Sequence, residues 1–568
     1  MIKATIRLLK ALPSNTRATL LTSVCGIAAG LVAVAFLLST NWVYRVTLVA
    51  LSHQSRTTFL LGSLGVITVS SWIVGFLLAR FQPKAAGSGI PELKVAYWKD
   101  LGFLPFRSVW VKFVAGVLSL GGGASLGREG PTVFVSGGVA TNLAGRLGVA
   151  RQNQRPFAAA GAAAGLAAAF NTPMAAITFV LEELLGELSN RVIGSVVLAS
   201  VIGAFVVYAT LGKQPAFDLP TVGSPSLVVY LFVPIVAILG GAIGMLFQRA
   251  SIQLRGKIRA GSRIPPWLRP WVGGLTTWAL GSAVFLITGR LGVFSLGYDD
   301  LSEGLRQGID APTASLLVVC KLAATVMCYG WAGCGGIFSP TLFLGAMTGI
   351  AVAGFASPWV PLTHADYVIL ATVGMSACFG AVVRAPLTAL LIVFEMTHQF
   401  ALVPALMLAG VISQPIARAF GKHNFYDAIL EQDGHELMHV KPPRDLESWR
   451  NLPVSTIAKL NPLILHDLSE TSIRGALLTP YGRFPVELDG GIKGVLLRPE
   501  VESALKQGRT PQFEPAVMGS MDMSIRDISH LIINSPSGLV ILTEEGSTHI
   551  LGLVTLHDLL RAQVDVSE

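Results

Sequence analysis

One stretch of this sequence is written twice. GAAAGLAAAFNTPMAAITFVLEE at 161–183 returns as GMSACFGAVVRAPLTALLIVFEM at 374–396, with Gly161, Ala164, Ala168, Pro173 and Glu182 in register with Gly374, Ala377, Ala381, Pro386 and Glu395. PTVF at 131–134 and PTLF at 340–343 precede the two copies by similar distances. A chain written this way is built as two halves on one plan.

The medium for that plan is a lipid bilayer. Apolar runs long enough to span recur at about 18–39, 58–80, 192–212, 227–248, 272–289 and 401–419. Runs interrupted by Gly or Pro lie between them, at 109–126, 133–147, 157–184, 314–330, 340–356 and 366–396. Broken helices are tolerated at membrane depth only where the freed backbone lines a cavity or is buried in protein, so their number points to a multi-pass transporter or channel. Only 13% of the residues are charged. The net charge of +9 is assigned to membrane-flanking segments rather than to nucleic-acid binding. Lys3, Arg7, Lys10 and Arg17 before the first span predict a cytoplasmic amino terminus, and no cleavable signal pattern is visible. Cysteines 25, 320, 328, 334 and 378 have no metal-like spacing and predict no disulfide framework.

In paired repeats of this kind the substrate site lies near the bilayer midplane, where discontinuous helices of both halves meet. The glycine-rich breaks at 87–92, 127–131 and 335–340 are therefore the places for a site. In GGGASLGREGP at 121–131, Arg128 and Glu129 sit among glycines, and Pro131 fits the first turn of a helix whose free N–H groups point back at the loop. That loop suits an anion, and the Glu129 carboxylate would compete with any anion arriving from solution. An ionisable residue inside a membrane is costly and for that reason a functional candidate. Ionised, Glu129 would fill the helix terminus; protonated, it would swing away. Arg128 reads as structural. GSGIPEL at 87–93 sets the Ser88 hydroxyl beside another helix start, a neutral anion site that an ion can leave. GGIFSP at 335–340 repeats the arrangement, with the backbone N–H groups of Ile337 and Phe338 directed at the same ion from the other half.

GSGIPE, GREGP and GxFxP, in this order and at these separations, closely resemble the CLC family of chloride channels and proton/chloride exchangers over about residues 15–430. The resemblance implies an all-α polytopic membrane domain at 1–430 with an inverted internal repeat, its halves at roughly 15–225 and 226–430. It implies that Ser88, the backbone of Ile337 and Phe338, and Tyr426 in GKHNFYDAIL bind the central chloride, and that Glu129 is the extracellular-side gate. Glu182 has a repeat mate in Glu395, whereas the counterpart of Glu183 is Met396. Consecutive residues of an α-helix point about 100° apart, so the two acids cannot share a face, and Glu182 reads as the structural one. The family's exchangers carry their internal proton-transfer residue at the second position, where several channel members lack an acid. Glu183 thus favours a proton/chloride exchanger over a passive voltage- or pH-gated chloride channel, and Ser88 favours chloride over nitrate or fluoride. The resemblance further implies a homodimer in a lipid membrane, a bacterial inner membrane by its compact form, with chloride and protons as its partners and no enzymatic activity.

After about residue 420 the composition changes. Residues 431–451 read as a polar linker and 452–568 as a soluble α/β domain, cytoplasmic because no long apolar run returns it to the bilayer. The tail resembles a pair of CBS domains, modules that dimerise and in some proteins bind adenine nucleotides. In GLVTLHDLL at 552–560, Thr555 and Asp558 match the hydroxyl and acid that contact ribose and phosphate in binding members; the first copy has Leu497 and Glu500 there. That departure makes a structural or dimer-stabilising tail the expectation, with an adenine nucleotide as the alternative and no other cofactor. HELMH at 435–439 has the form of a zinc-hydrolase motif. Pro442 and Pro443 cut its helix short and no third ligand is apparent, so no metal is expected.

Overall fold

The structure, a computed structural model, describes residues 13–186, 190–212, 226–306, 308–435, 453–460, 462–544 and 549–567. Lys3, Arg7 and Lys10, most of the expected linker, and Glu436 and His439 of the zinc-like motif lie outside the described residues. The chain divides into two compact units, Met1–Pro442 and Pro443–Glu568.

Among the described residues, nine helices of the first unit are long and apolar enough to cross a membrane. The two halves match element by element. The first runs Ser14–Tyr44, Arg56–Phe81, Ile90–Lys99, Phe106–Gly121, Glu129–Arg146, Arg155–Phe170, Pro173–Phe179 and Asn190–Thr210. The second runs Val229–Gly261, Arg269–Thr288, Tyr298–Arg306, Ala311–Gly330, Phe338–Ala356, His364–Val383, Pro386–Thr397 and Val403–Phe420, and Phe425–Gln432 follows it. Even the interruption recurs. Asn171 (φ 58°) and Arg384 (φ 59°), each two residues before a proline, turn into the left-handed region and end their helices at equivalent places. Proline cannot continue a helix hydrogen-bond ladder, so each apolar run is cut in two and its second piece starts afresh.

Burial is graded from the rim inward. The apolar span of Arg56–Phe81 is one-third buried, with Leu61, Val69 and Phe76 exposed, as suits a helix facing lipid. Phe338–Ala356 and His364–Val383 are 83% and 94% buried and form the centre. Lipid removes the hydrophobic drive for helices to associate, so close packing has to hold them together. Gly345 and Gly374 provide it here: a Cβ on either would collide with the carbonyl of the other. The five cysteines are all buried and free.

The second unit holds a four-stranded sheet in the order Lys459–Leu460, Ile550–Thr555, Leu539–Thr543, Met518–Ser520 and a separate hairpin, Arg483–Leu488 with Gly491–Leu497. It too is written twice. Helix Glu470–Leu477, the hairpin and helix Arg498–Gln507 recur as helix Ile525–Asn534, the strand pair at 539–555 and helix Leu556–Ser567. Each copy buries its own apolar cluster, one around Phe484, Val486 and Leu496, the other around Ile528, Val540 and Val554.

Candidate functional site

The three glycine-rich breaks are stitched together by backbone hydrogen bonds. Gly127 and Gly336 exchange N–H···O bonds of 2.8 and 2.5 Å. The Gly87 N–H donates to the Gly333 carbonyl at 2.8 Å, and the Gly335 N–H returns one to the Gly87 carbonyl at 3.2 Å. The other half answers with the Ser295 N–H on the Gly123 carbonyl at 3.1 Å. Behind each loop stands a buried lysine. Lys112 Nζ donates to the carbonyls of Ala85 and Gly87 at 2.8 and 2.6 Å, with Ala86 at 3.4 Å. Lys321 Nζ donates to those of Ser295 and Val293 at 2.7 and 3.3 Å. A loop inside a membrane has carbonyls that no water can satisfy, and an ammonium with three donors meets that need.

This framework aims the starts of Glu129–Arg146 and Phe338–Ala356 at one another. Glu129, fully buried, opens the first helix and reaches across to the second. Its Oε2 lies 3.4 Å from the Ser339 backbone N–H, its Oε1 touches the Ser339 hydroxyl, and the Tyr298 hydroxyl lies 3.4 Å from Oε1. Ser339 Oγ and the Tyr298 hydroxyl are 2.9 Å apart. The first N–H groups of a helix have no partner within it, and the helix dipole favours negative charge there. The carboxylate therefore sits where an anion would. Arg128 donates to the Ala169 carbonyl at 3.1 Å and lies over the Tyr298 ring, a use that needs no ion. Arg128 and Tyr298 also line a cavity of about 440 Å³ together with Arg45 and Asp299.

Ser88 and Tyr426 come from distant parts of the chain to adjoining places. A Cβ at Gly130 would fall on the Ser88 hydroxyl, so glycine there lets Ser88 approach the start of the Glu129 helix. Tyr426 is fully buried on helix Phe425–Gln432, its phenol beside Ser88. Apart from each other, neither hydroxyl has a hydrogen-bond partner among the described residues. Buried hydroxyls are ordinarily paired, so two orphans in one place form a donor set for an acceptor-only guest such as a halide. Ile337 and Phe338 are fully buried, and the Phe338 ring packs edge-on against Phe179 and Phe379 at 5.2 and 4.5 Å.

The neighbouring glutamates go separate ways. Glu182 accepts from the Leu387 and Thr388 N–H groups at 3.3 and 2.9 Å, capping the helix that opens at Pro386. Glu395 does the same for the helix at Pro173, accepting from Met174 and Ala175 at 3.0 and 2.7 Å. Each half thus caps a helix of the other. Glu183 instead turns inward to Lys94 Nζ at 2.9 Å and Asn424 Nδ2 at 2.8 Å. The turn carrying both acids, Val180–Leu185, is a π-helix rather than the α-helix expected from the sequence, and its two adjacent side chains reach different partners.

In the second unit Thr555 and Asp558 are brought together but onto each other. The Asp558 carboxylate accepts from the Thr555 N–H and hydroxyl at 2.8 and 2.7 Å, at the start of helix Leu556–Ser567. In the first copy Leu497 caps nothing with its side chain, and Glu500 faces Arg509 and the Gln512 N–H, which hold its carboxyl down to about 2. The described part of HELMH is His435, whose backbone N–H donates to the Leu430 carbonyl.

Sequence reasoning passes over Lys94, Lys112, Lys321, Tyr298, Ser339 and Asp427. A signal exists for the lysines: Lys112 and Lys321 lie within apolar runs and Lys94 directly follows GSGIPEL, so the cost of intramembrane charge that singles out Glu129 applies equally to them.

The sequence model of the family described as voltage gated chloride channel matches residues 70–418. A protein named H(+)/Cl(-) exchange transporter ClcA from Klebsiella pneumoniae (strain 342) is 30% identical over 427 residues, covering 73% of this chain and 88% of that protein. The protein of the same name from Vibrio cholerae serotype O1 (strain M66-2) is 32% identical over 433 residues, covering 72% and 87%. Among solved structures, a slow cyanobacterial Cl-/H+ antiporter superposes with a TM-score of 0.65 at 26% identity, covering 73% of this chain and 97% of that one. A eukaryotic CLC transporter superposes with a TM-score of 0.60 over 96% of this chain and 98% of that one; at 18% identity this likeness concerns the fold.

Proposed function

The chain belongs to the CLC family of chloride channels and transporters, and we propose that it works as a proton-coupled chloride exchanger in which Glu129 is the gate and Glu183 the internal proton-transfer residue. One observation carries this reading: a carboxylate on the first turn of one half-helix lies against the first-turn N–H of its counterpart, where a bound anion would lie. Ionised, Glu129 holds the helix start by charge and hydrogen bonds. Protonated, it has no net charge to set against the dipole, and chloride takes its place. The orphaned hydroxyls of Ser88 and Tyr426 then receive the ion toward the cytoplasm, with the N–H groups of Ile337 and Phe338 on its other side. Being neutral donors, they bind without trapping. Because Glu129 leaves the path only when it carries a proton, anion movement one way is tied to proton movement the other. Glu183, in a separate place beside Lys94, exchanges that proton with the cytoplasm. The amino terminus is assigned to the cytoplasmic side of a cell membrane by the positive-inside rule, and the second unit to the same side because no long apolar run returns it to the bilayer. The protein is read as a homodimer with one pathway per subunit, and its tail as a CBS pair with a structural role.

Reconstitution in liposomes tests this. An imposed chloride gradient should drive protons uphill, and chloride flux without proton movement would replace the exchanger by a passive channel of the same fold. Glu129→Gln should leave anion flux with no coupled protons, and Glu183→Gln should stop proton movement while chloride still flows.

A further inference from the structure

Glu183 shares its surroundings with a second carboxylate. Lys94 Nζ lies 2.9 Å from Glu183 Oε1 and 3.0 Å from Asp427 Oδ1, and none of the three side chains is more than 5% exposed. Asn424 ties the group together from the other side: its Nδ2 donates to Glu183 Oε2 at 2.8 Å, and its Oδ1 accepts from the Asp427 N–H at 2.8 Å. Three elements meet there, namely helix Ile90–Lys99, the π turn Val180–Leu185 and helix Phe425–Gln432, and the last of these also carries Tyr426. The charged groups on neighbouring elements make their hydrogen bonds elsewhere. Arg255, from Val229–Gly261, bonds Gln432 and Asp433. Arg384, at the end of His364–Val383, places its guanidinium on the carbonyls of Ala417, Gly421 and Lys422, and its charge reaches Asp427 from there.

The groups in direct contact, one ammonium and two carboxylates, sum to a charge of −1. A buried charge without compensation is costly, whereas a hydrogen-bonded neutral pair is tolerated. One added proton brings the group to zero. Lys94 with Glu183 alone would already be neutral, and a proton on Glu183 would strand the ammonium. The two carboxylates without Lys94 would hold a proton up to higher pH. We propose that Asp427 and Lys94 are positioning residues for proton transfer, with Asp427 keeping the ion pair to Lys94 while Glu183 carries the transported proton. The proton arrives from water on the cytoplasmic side and adds to the Glu183 carboxylate; Lys94 remains an ammonium and Asp427 a carboxylate throughout. This assignment rests on the exchanger reading, because without proton transport Glu183 has no proton to carry.

The test is the pH dependence of proton-coupled chloride transport in liposomes, with pH varied on the cytoplasmic side and each curve normalised to its own maximum. Loss of folded protein then scales a curve without moving its midpoint. Asp427→Asn should move the midpoint to lower pH, since Glu183 would be left in a neutral pair with Lys94. Lys94→Met should move it to higher pH, and each shift should be roughly one unit or more, as expected for a charge at contact distance. The conservative variants Asp427→Glu and Lys94→Arg should keep the wild-type midpoint. Midpoints that stay put, or move the same way in both neutral variants, would overturn the proposal in a protein whose wild type exchanges. Should one neutral variant fail to fold, the other decides alone, because each must move in its own direction. Wild type that carries chloride without protons would instead bring down the exchanger reading itself.

Discussion

Lys112 and Lys321 occupy equivalent places in the two halves and perform one task, each holding the carbonyls of the loop in front of it. Glu129 and Phe338 also occupy equivalent places, each the first residue of its helix, and have nothing in common chemically. The same division runs through the membrane unit. Glu182 and Glu395 cap reciprocal helices and Asn171 and Arg384 make reciprocal breaks, whereas Glu183 has Met396 as its counterpart and Ser88 has Leu296. An inverted duplication brings two copies of a scaffold to the midplane, and whatever has to act at one side of the membrane only must depart from the symmetry. On the proposed reading, agreement between the halves marks what builds the pathway, and disagreement marks what uses it.

The largest effect that probes this division is on the lysines. Lys112→Met leaves the carbonyls of Ala85 and Ala86 without the ammonium and that of Gly87 with the Gly335 N–H alone, and unsatisfied buried acceptors cost about 1–3 kcal/mol each. Thermal unfolding in detergent should show a loss of roughly 2 kcal/mol or more, with a loss of similar size for Lys321→Met, whose ammonium serves two carbonyls. A Lys112→Met protein of unchanged stability but altered anion flux would break the comparison, placing this lysine in the ion pathway behind Ser88.

Much of this division is legible in the sequence. Periodic apolar runs mark the spans, and the repeated prolines locate the breaks because a missing N–H acts locally whatever surrounds it. Ser88, Glu129 and Phe338 stand out as candidates because three glycine-rich motifs have recognisable spelling, and Tyr426 because of the family resemblance those motifs carry. The lysines, Tyr298 and Ser339 cannot, because their roles depend on which carbonyl or carboxylate arrives from another segment. Lys94 and Asp427 are 333 residues apart in sequence, and nothing in either neighbourhood announces the other. The π-helical turn is equally hidden, since its composition is that of an ordinary helix end.

A smaller effect concerns the paired caps. Glu182→Gln and Glu395→Gln each keep one amide oxygen for the partner helix but lose the charge that strengthens its hydrogen bonds, a loss of about 1 kcal/mol. The two variants should resemble each other in stability and both should still couple protons to chloride. Coupling lost in Glu182→Gln but retained in Glu395→Gln would move Glu182 from the scaffold to the working side.

The tail poses the same question at the smallest scale. Its two copies agree in their helices and hairpins and differ where Thr555 and Asp558 stand against Leu497 and Glu500. Thr555 and Asp558 complete a reciprocal cap at the start of helix Leu556–Ser567, with the Asp558 N–H 3.4 Å from Thr555 Oγ1. A threonine and an acid so disposed are fully explained by helix capping. Thr555→Val should therefore lower the protection of strands Leu539–Thr543 and Ile550–Thr555 against hydrogen exchange in the full-length protein by the equivalent of about 1 kcal/mol, with or without adenine nucleotide. If a nucleotide raises protection in wild type and Thr555→Val removes that rise, the second copy is a ligand site. The tail would then divide its labour as the membrane halves do, with one copy building and the other binding.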